Sequence, residues 1–368
     1  MGHDEGVFLT SFVRLPYLDG IRGFCALYVA ACHASASFLQ RNPTGFVYPL
    51  IHVLGYGHLA VTIFIAISGF TLGLQVKPDR PFLVLPFLKR RFWRIVPPVY
   101  ALTLLAIALA ALRFQVLGID WLPDQRQMLF NLLLLNDVFV DETLETGPLW
   151  TVALELRIYL LFPVLVWLHR RFGSQAVLLF AIAVSGLACW LNWYFNGWLL
   201  GLWFFCIFAL SFLASQKALP EPKAFAWFAA TLLLCLFWAF PIMGDRNELS
   251  GLLFFGDHLN RYWEFDLVTG LLLACLFQLS VDRTQPTWLE SFFGSRWLVW
   301  LGSFSYSLYL VHYPVFACWK AIAMTIGYRN PLMLFALAMV FAVVVGWLFY
   351  WTVERHFVRY KGRPAPPL

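Results

Sequence analysis

Charge is what this sequence has least of. Only 12% of its 368 residues are Asp, Glu, Lys or Arg, against about 25% in an ordinary soluble domain. With 61% hydrophobic and 18% aromatic residues, that scarcity excludes a soluble fold with a polar shell. The seven cysteines (Cys25, Cys32, Cys189, Cys206, Cys235, Cys275 and Cys318) have no metal spacing, and their odd number argues against a disulfide framework. They read as small apolar side chains. No compact cluster of His, Cys and carboxylates points to a metal. A cleavable signal peptide is not expected either, because Asp4 and Glu5 precede a first apolar segment that itself carries charges. The net charge of +6 does not call for nucleic acid, since the basic residues fall in short loops between apolar runs, where the positive-inside rule puts them.

What is present is a series of apolar stretches of about 20 residues, the length that crosses a bilayer. They predict an all-α polytopic membrane protein with about ten transmembrane helices, at 17–39, 55–76, 96–117, 147–168, 174–195, 198–215, 223–242, 261–281, 297–321 and 331–353. Residues 1–368 are expected to form a single membrane domain with no soluble domain, linker or low-complexity tract. Lys77, Arg80, Lys89, Arg90, Arg91 and Arg94 crowd the second connection and place it in the cytoplasm, which makes both termini cytoplasmic. The acid-rich stretch 118–146 then faces outward. Within it, residues 126–140 are too short for a comfortable span and are expected to lie at the interface or re-enter. Pro97 and Pro98 are expected to break the chain where it turns into the membrane.

Against that background each intramembrane ionisable group is costly and is a candidate for function. Arg22 and His33 are eleven residues apart in LDGIRGFCALYVAACH, which puts them on one helical face about 16 Å apart. Asp19 lies one turn before the arginine. A histidine exchanges protons near neutral pH, and an arginine suits an anionic or carbonyl-rich ligand; alternatively both satisfy helix–helix hydrogen bonds. Cys32 adjoins His33 but projects about 100° away, a poor placement for a nucleophile partnered by that ring. Arg91 and Arg94 share a face and suit a phosphate, or else anchor the chain to lipid headgroups. Glu155 needs a partner at its depth, either His33, whose ring it would orient, or an arginine. Ser305, Tyr309 and His312 form a polar stripe that either lines a ligand cavity, with His312 toward the acceptor, or glues helices together.

Five segments together resemble the acyltransferase-3 family of bacterial inner-membrane acyltransferases. LDGIRGFCALYVAACH is similar to its Arg-x10-His opening, FIAISGF to its FFxxSGF element, and RRFWRIVPP to its Arg-x-x-Arg. WTVALELRIYLLFP resembles its WSLxxE…FYLLFP segment and FSYSLYLVHYP its SYSLYLxHxP segment. They occur in the family's order between residues 17 and 314. The sequence departs from the pattern at Thr62, where the family usually has aspartate, and at Leu156 and Arg157 after Glu155. The resemblance implies a membrane O-acyltransferase that moves an acyl group, usually acetyl, from cytoplasmic acyl-CoA to a hydroxyl of a surface glycan or lipid-linked sugar. No metal enters. On that reading His33, Arg22, Asp19 and Glu155 are catalytic, and Arg22, Arg91, Arg94 and Ser68 hold acetyl-CoA. Trp150, Tyr309 and His312 meet the acceptor. The competing class is a transporter or flippase with Arg22, His33 and Glu155 as a relay, which an inverted repeat would favour.

Overall fold

The computed structural model describes residues 15–39, 47–118, 125–135, 149–195, 201–243, 262–281 and 285–358. Every regular element among them is helical. In chain order they are α1 (Pro16–Phe38), α2 (Val47–Leu54), α3 (Gly57–Gly73), α4 (Val84–Leu117), α5 (Gln125–Leu132), α6 (Leu149–Phe172) and α7 (Ser174–Phe195). Then follow α8 (Phe204–Ser215), α9 (Pro222–Met243), α10 (Tyr262–Val281), α11 (Trp288–Phe293), α12 (Arg296–Ser303), α13 (Ser305–Thr325) and α14 (Pro331–Phe349). A π-turn (Tyr350–Glu354) and α15 (Arg355–Val358) close the fold. Four helical stretches are long and apolar enough to cross a membrane: Val84–Gln115, Leu149–Phe172, Ser174–Leu191 and Pro331–Val358. Four more, including Gly57–Gly73 and Phe204–Ser215, are apolar but shorter.

Two expectations are corrected, and a third falls partly outside the described residues. The prolines do not break α4, which runs unbroken from Val84 through Pro97 and Pro98. A proline fixes φ at a helical value and removes only one backbone donor, and packed membrane helices tolerate that loss; here Ile95, Val96 and Val99 are buried around the pair. The expected span 297–321 is two helices, α12 and α13, with Phe304 at φ −125° between them. Within 126–140 only the eight-residue α5 and residues to 135 are described.

α1 is the central element, packed against α3, α12, α13 and α14. Its sequence allows this because Gly20, Gly23, Ala26, Ala30 and Ala34 recur at helical spacing, a ridge of small residues that lets backbones meet. A Cβ on Gly23 would stand 2.5 Å from the Gly302 nitrogen. α3 backs in the same way onto α8, where a Cβ on Gly69 would lie 2.2 Å from the Phe208 carbonyl oxygen. α1 and α3 are antiparallel. Arg22 Nη2 donates to Thr71 Oγ1 at 3.1 Å, while further along α1, at Cys32, a Cβ on Gly57 would meet Sγ at 2.8 Å. That register sets His33 and His58 at one height, and Arg22, Ser68 and Thr71 at another.

Candidate functional site

The lower of the two heights gathers charge from three helices, α1, α4 and α6, and from the π-turn. Arg22 is held by Asp19 Oδ1 at 3.4 Å and by Thr71. Arg91 of α4 lies over the rings of Phe87 and Tyr159, its Cζ 5.6 and 5.2 Å from their centroids. Its Nε is buried and makes no hydrogen bond among the described residues. Arg94, one turn on, stands within electrostatic range of Arg22, Arg91, Glu155, Tyr159, Tyr306 and Glu354. Glu155 accepts from Ser68 Oγ at 3.4 Å and from the Tyr159 hydroxyl. Glu354 is buried and accepts from the Ser307 amide at 3.1 Å and hydroxyl at 2.5 Å. The π-turn that carries it adds one residue per turn to α14, the kind of local insertion that re-aims a side chain. A cavity of about 170 Å³, lined by Leu72, Gln75, Phe82, Phe87, Arg90 and Phe162, adjoins this cluster through Phe87.

The upper height gathers imidazoles. His33 Nδ1 is 2.9 Å from His312 Nε2; the rings are nearly parallel, at 7°, with centroids 5.1 Å apart. Tyr313 meets the His33 ring edge-on. The Tyr309 ring packs against His312, and its hydroxyl is bonded to Thr151 Oγ1 at 2.7 Å. Beside Thr151, Trp150 stacks on His58 at 6.3 Å. His58 Nδ1 donates to Asp266 Oδ1 at 3.1 Å, the oxygen that Thr62 Oγ1 reaches at 2.5 Å, and Trp203 Nε1 donates to Oδ2 at 3.0 Å. Asp266 is fully buried, so these three donors replace its hydration, without which a buried carboxylate is costly.

The structure therefore joins Arg22, Asp19, Ser68, Arg91, Arg94 and Glu155 in one cluster, and places His33 apart from them. Glu155 does not orient His33; it lies with Ser68 and Tyr159, at the height of Arg22, because α6 meets α3 with Trp150 beside His58 and Glu155 beside Ser68. Tyr309 and His312 face neighbouring helices rather than an open surface: His312 is 0% exposed and Tyr309 7%. Trp150 remains partly exposed. Sequence reading missed Tyr159, Thr71, Asp266, His58 and Glu354. Asp266 and Glu354 carried the same signal as Arg22, a lone charge within an apolar run. At Thr62 the departure from the family pattern has a structural counterpart, since a carboxylate from α10 reaches the hydroxyl where the family has its own aspartate.

Fold and site define a helical membrane protein with a buried guanidinium–carboxylate cluster on one side and paired histidines on the other. The chain belongs to the acyltransferase-3 family: the family's sequence profile, described as an acyltransferase domain, matches residues 15–351. It is 26% identical to acyltransferase MdmB of Streptomyces mycarofaciens, over 96% of this chain and 94% of that protein. It is 22% identical to peptidoglycan O-acetyltransferase OatA of Listeria monocytogenes and 25% identical to O-acetyltransferase OatA of Staphylococcus aureus. Each of these alignments covers 82% of this chain and only about half of the relative. No solved structure matches.

Proposed function

We propose that the protein is an O-acyltransferase of the bacterial inner membrane, spanning it about ten times with both termini in the cytoplasm. It takes an acyl group, acetyl in the first instance, from cytoplasmic acyl-CoA and places it on a hydroxyl of an extracytoplasmic glycan or lipid-linked sugar. The names of the two O-acetyltransferase relatives support the reaction class.

The observation that carries the donor half is Arg91. A buried guanidinium nitrogen with no acceptor among the described residues is costly unless a ligand supplies one, and a phosphate oxygen fits a guanidinium fork. Arg94 adds a second fork one turn away. Arg22, fixed by Asp19 and Thr71, stands about 16 Å along α1 from His33, a distance that an extended pantetheine arm spans. Ser68 and Glu155 shape the donor side, and Trp150 is the residue offered to the acceptor.

In the transfer, the acceptor oxygen attacks the thioester carbonyl. The new C–O bond forms as the C–S bond breaks; His33 takes the hydroxyl proton and passes it to the departing sulfur, which leaves as the thiol. The test uses purified protein with radiolabelled acetyl-CoA: label is released to water or passed to a glycan acceptor, and His33→Ala abolishes both. Full activity in His33→Ala would overturn the role of the base. Failure of acetyl-CoA to bind would overturn the donor and return the relay reading of Arg22, His33 and Glu155.

A further inference from the structure

A general base on an imidazole needs its lone pair on the nitrogen that faces the substrate, and the ring has two. The helix that carries His312 decides which one His33 presents. His312 Nδ1 is 3.3 Å from the carbonyl oxygen of Leu308, one turn earlier on α13. A carbonyl can only accept, so His312 Nδ1 carries the hydrogen and donates it. The neutral ring then has its lone pair at Nε2, the atom 2.9 Å from His33 Nδ1. His33 Nδ1–H must therefore be the donor of that contact, and the lone pair of His33 is left at Nε2. The order Leu308 carbonyl, His312, His33 is thus a relay that starts from a group with no protonation choice. His312 is fully buried, whereas His33 is partly exposed, so the chain of bonds runs from the core toward the accessible ring.

We infer that His312 is a positioning residue: it fixes the tautomer of His33 so that Nε2 is the base, and it does not touch the acceptor. This rests on the proposal that His33 is the base. It replaces the acceptor role that the polar stripe of α13 suggested, because both ring nitrogens of His312 are already engaged. It is a neutral counterpart of the carboxylate that orients a catalytic histidine elsewhere. The titratable groups around the pair are Tyr309 and Tyr313 on α13 and, at the same height on α3, His58 with Asp266 behind it.

The test compares His312→Ala, His312→Gln and His312→Glu in two measurements. The first is hydrolysis of acetyl-CoA without an acceptor. The second, independent of activity, is the rate at which diethyl pyrocarbonate modifies His33 as a function of pH, read by peptide mass. His312→Ala lowers hydrolysis by roughly the 10²- to 10⁴-fold typical of a lost acid–base group, and His312→Gln, whose carbonyl can accept from Nδ1–H, restores most of it. His312→Glu places a carboxylate against Nδ1–H, which favours the charged ring. The midpoint of His33 modification and the acid limb of hydrolysis then both move to higher pH by about 1 unit or more, while His312→Gln leaves the midpoint in place. The inference is overturned if His312→Glu does not move the modification midpoint. It is also overturned if His312→Ala raises only the KM for a glycan acceptor and leaves hydrolysis intact. Loss of the donor reaction in every protein, wild type included, would instead count against the acyl-CoA reading, and the modification midpoint would still decide the part played by His312.

Discussion

Replacing Arg91 by alanine separates the donor's phosphates from its thioester. In the resting protein the Arg91 guanidinium is sandwiched near Phe87 and Tyr159, with its Nε unpaired among the described residues. Its removal costs the protein the cation–π contacts, about 0.5–2 kcal/mol, and no hydrogen bond from Nε to the described residues. To a phosphate-bearing donor the loss is larger. One hydrogen bond to a charged partner contributes about 1.5–3 kcal/mol, which at about 1.4 kcal/mol per tenfold raises KM for acetyl-CoA by about 10- to 150-fold. Acetyl-pantetheine has the same thioester without the nucleotide phosphates, so its KM moves less than about 3-fold. The assay is thioester hydrolysis with each donor, with the melting temperature in detergent as a check on folding. Equal rises in the two KM values would refute the reasoning, since they would trace the defect to the protein and not to a lost phosphate contact. An unchanged KM for acetyl-CoA would refute it from the other side.

Two further outcomes test the fold around the site. Gly69→Ala drives a Cβ to 2.2 Å from the Phe208 carbonyl oxygen; overpacking against backbone costs about 1–3 kcal/mol, so its melting temperature falls. Gly186→Ala, where no atom lies within 4 Å of the new Cβ, melts at the wild-type temperature or slightly above, and equal melting of the two variants would contradict the close approach of α3 and α8. Thr62→Asp puts a second carboxylate where a hydroxyl now donates to Asp266 at 2.5 Å. An uncompensated buried charge costs about 3–5 kcal/mol, so the single variant melts lower and the double variant Thr62→Asp with Asp266→Asn recovers. A neutral Thr62→Asp would show that the two positions do not share one carboxylate site.

The apolar runs gave the helices away because a bilayer fixes their length and demands near-uniform apolarity. Helices at 16–38, 174–195 and 262–281 fall within a residue or two of the expected ends. The ends that moved lie where local signals compete with packing. Pro97 and Pro98 look like a break, yet buried neighbours carry α4 through them, and the sequence around Phe304 gives no proline to mark the interruption that the structure places there. Within the site, a cost could be read but not the partner that offsets it. Arg22, His33 and Glu155 were conspicuous as expensive groups, and Arg22 even showed its local partner, Asp19, three residues away. Glu155 likewise has a local partner in Tyr159, four residues on, but its second partner, Ser68, is 87 residues away and His312 is 279 from His33, so neither could be read that way.

Only the register of α1 against α3 and α13 decides which of several costly groups meet. Close glycine contacts hold these helices where they are. Gly57 brings α3 onto Cys32 of α1, Gly20 and Gly23 bring α1 onto Phe293 and α12, Gly69 brings α3 onto α8, and Gly346 brings α14 onto Leu308 of α13. The glycines flanking Arg22 and following Ser68 in the two motifs are therefore part of the chemistry in a physical sense: they fix the heights at which arginines and histidines stand. The same logic accounts for Thr62. With the backbones fixed, a carboxylate can arrive at one point from α3 or from α10, and here it arrives from α10 as Asp266.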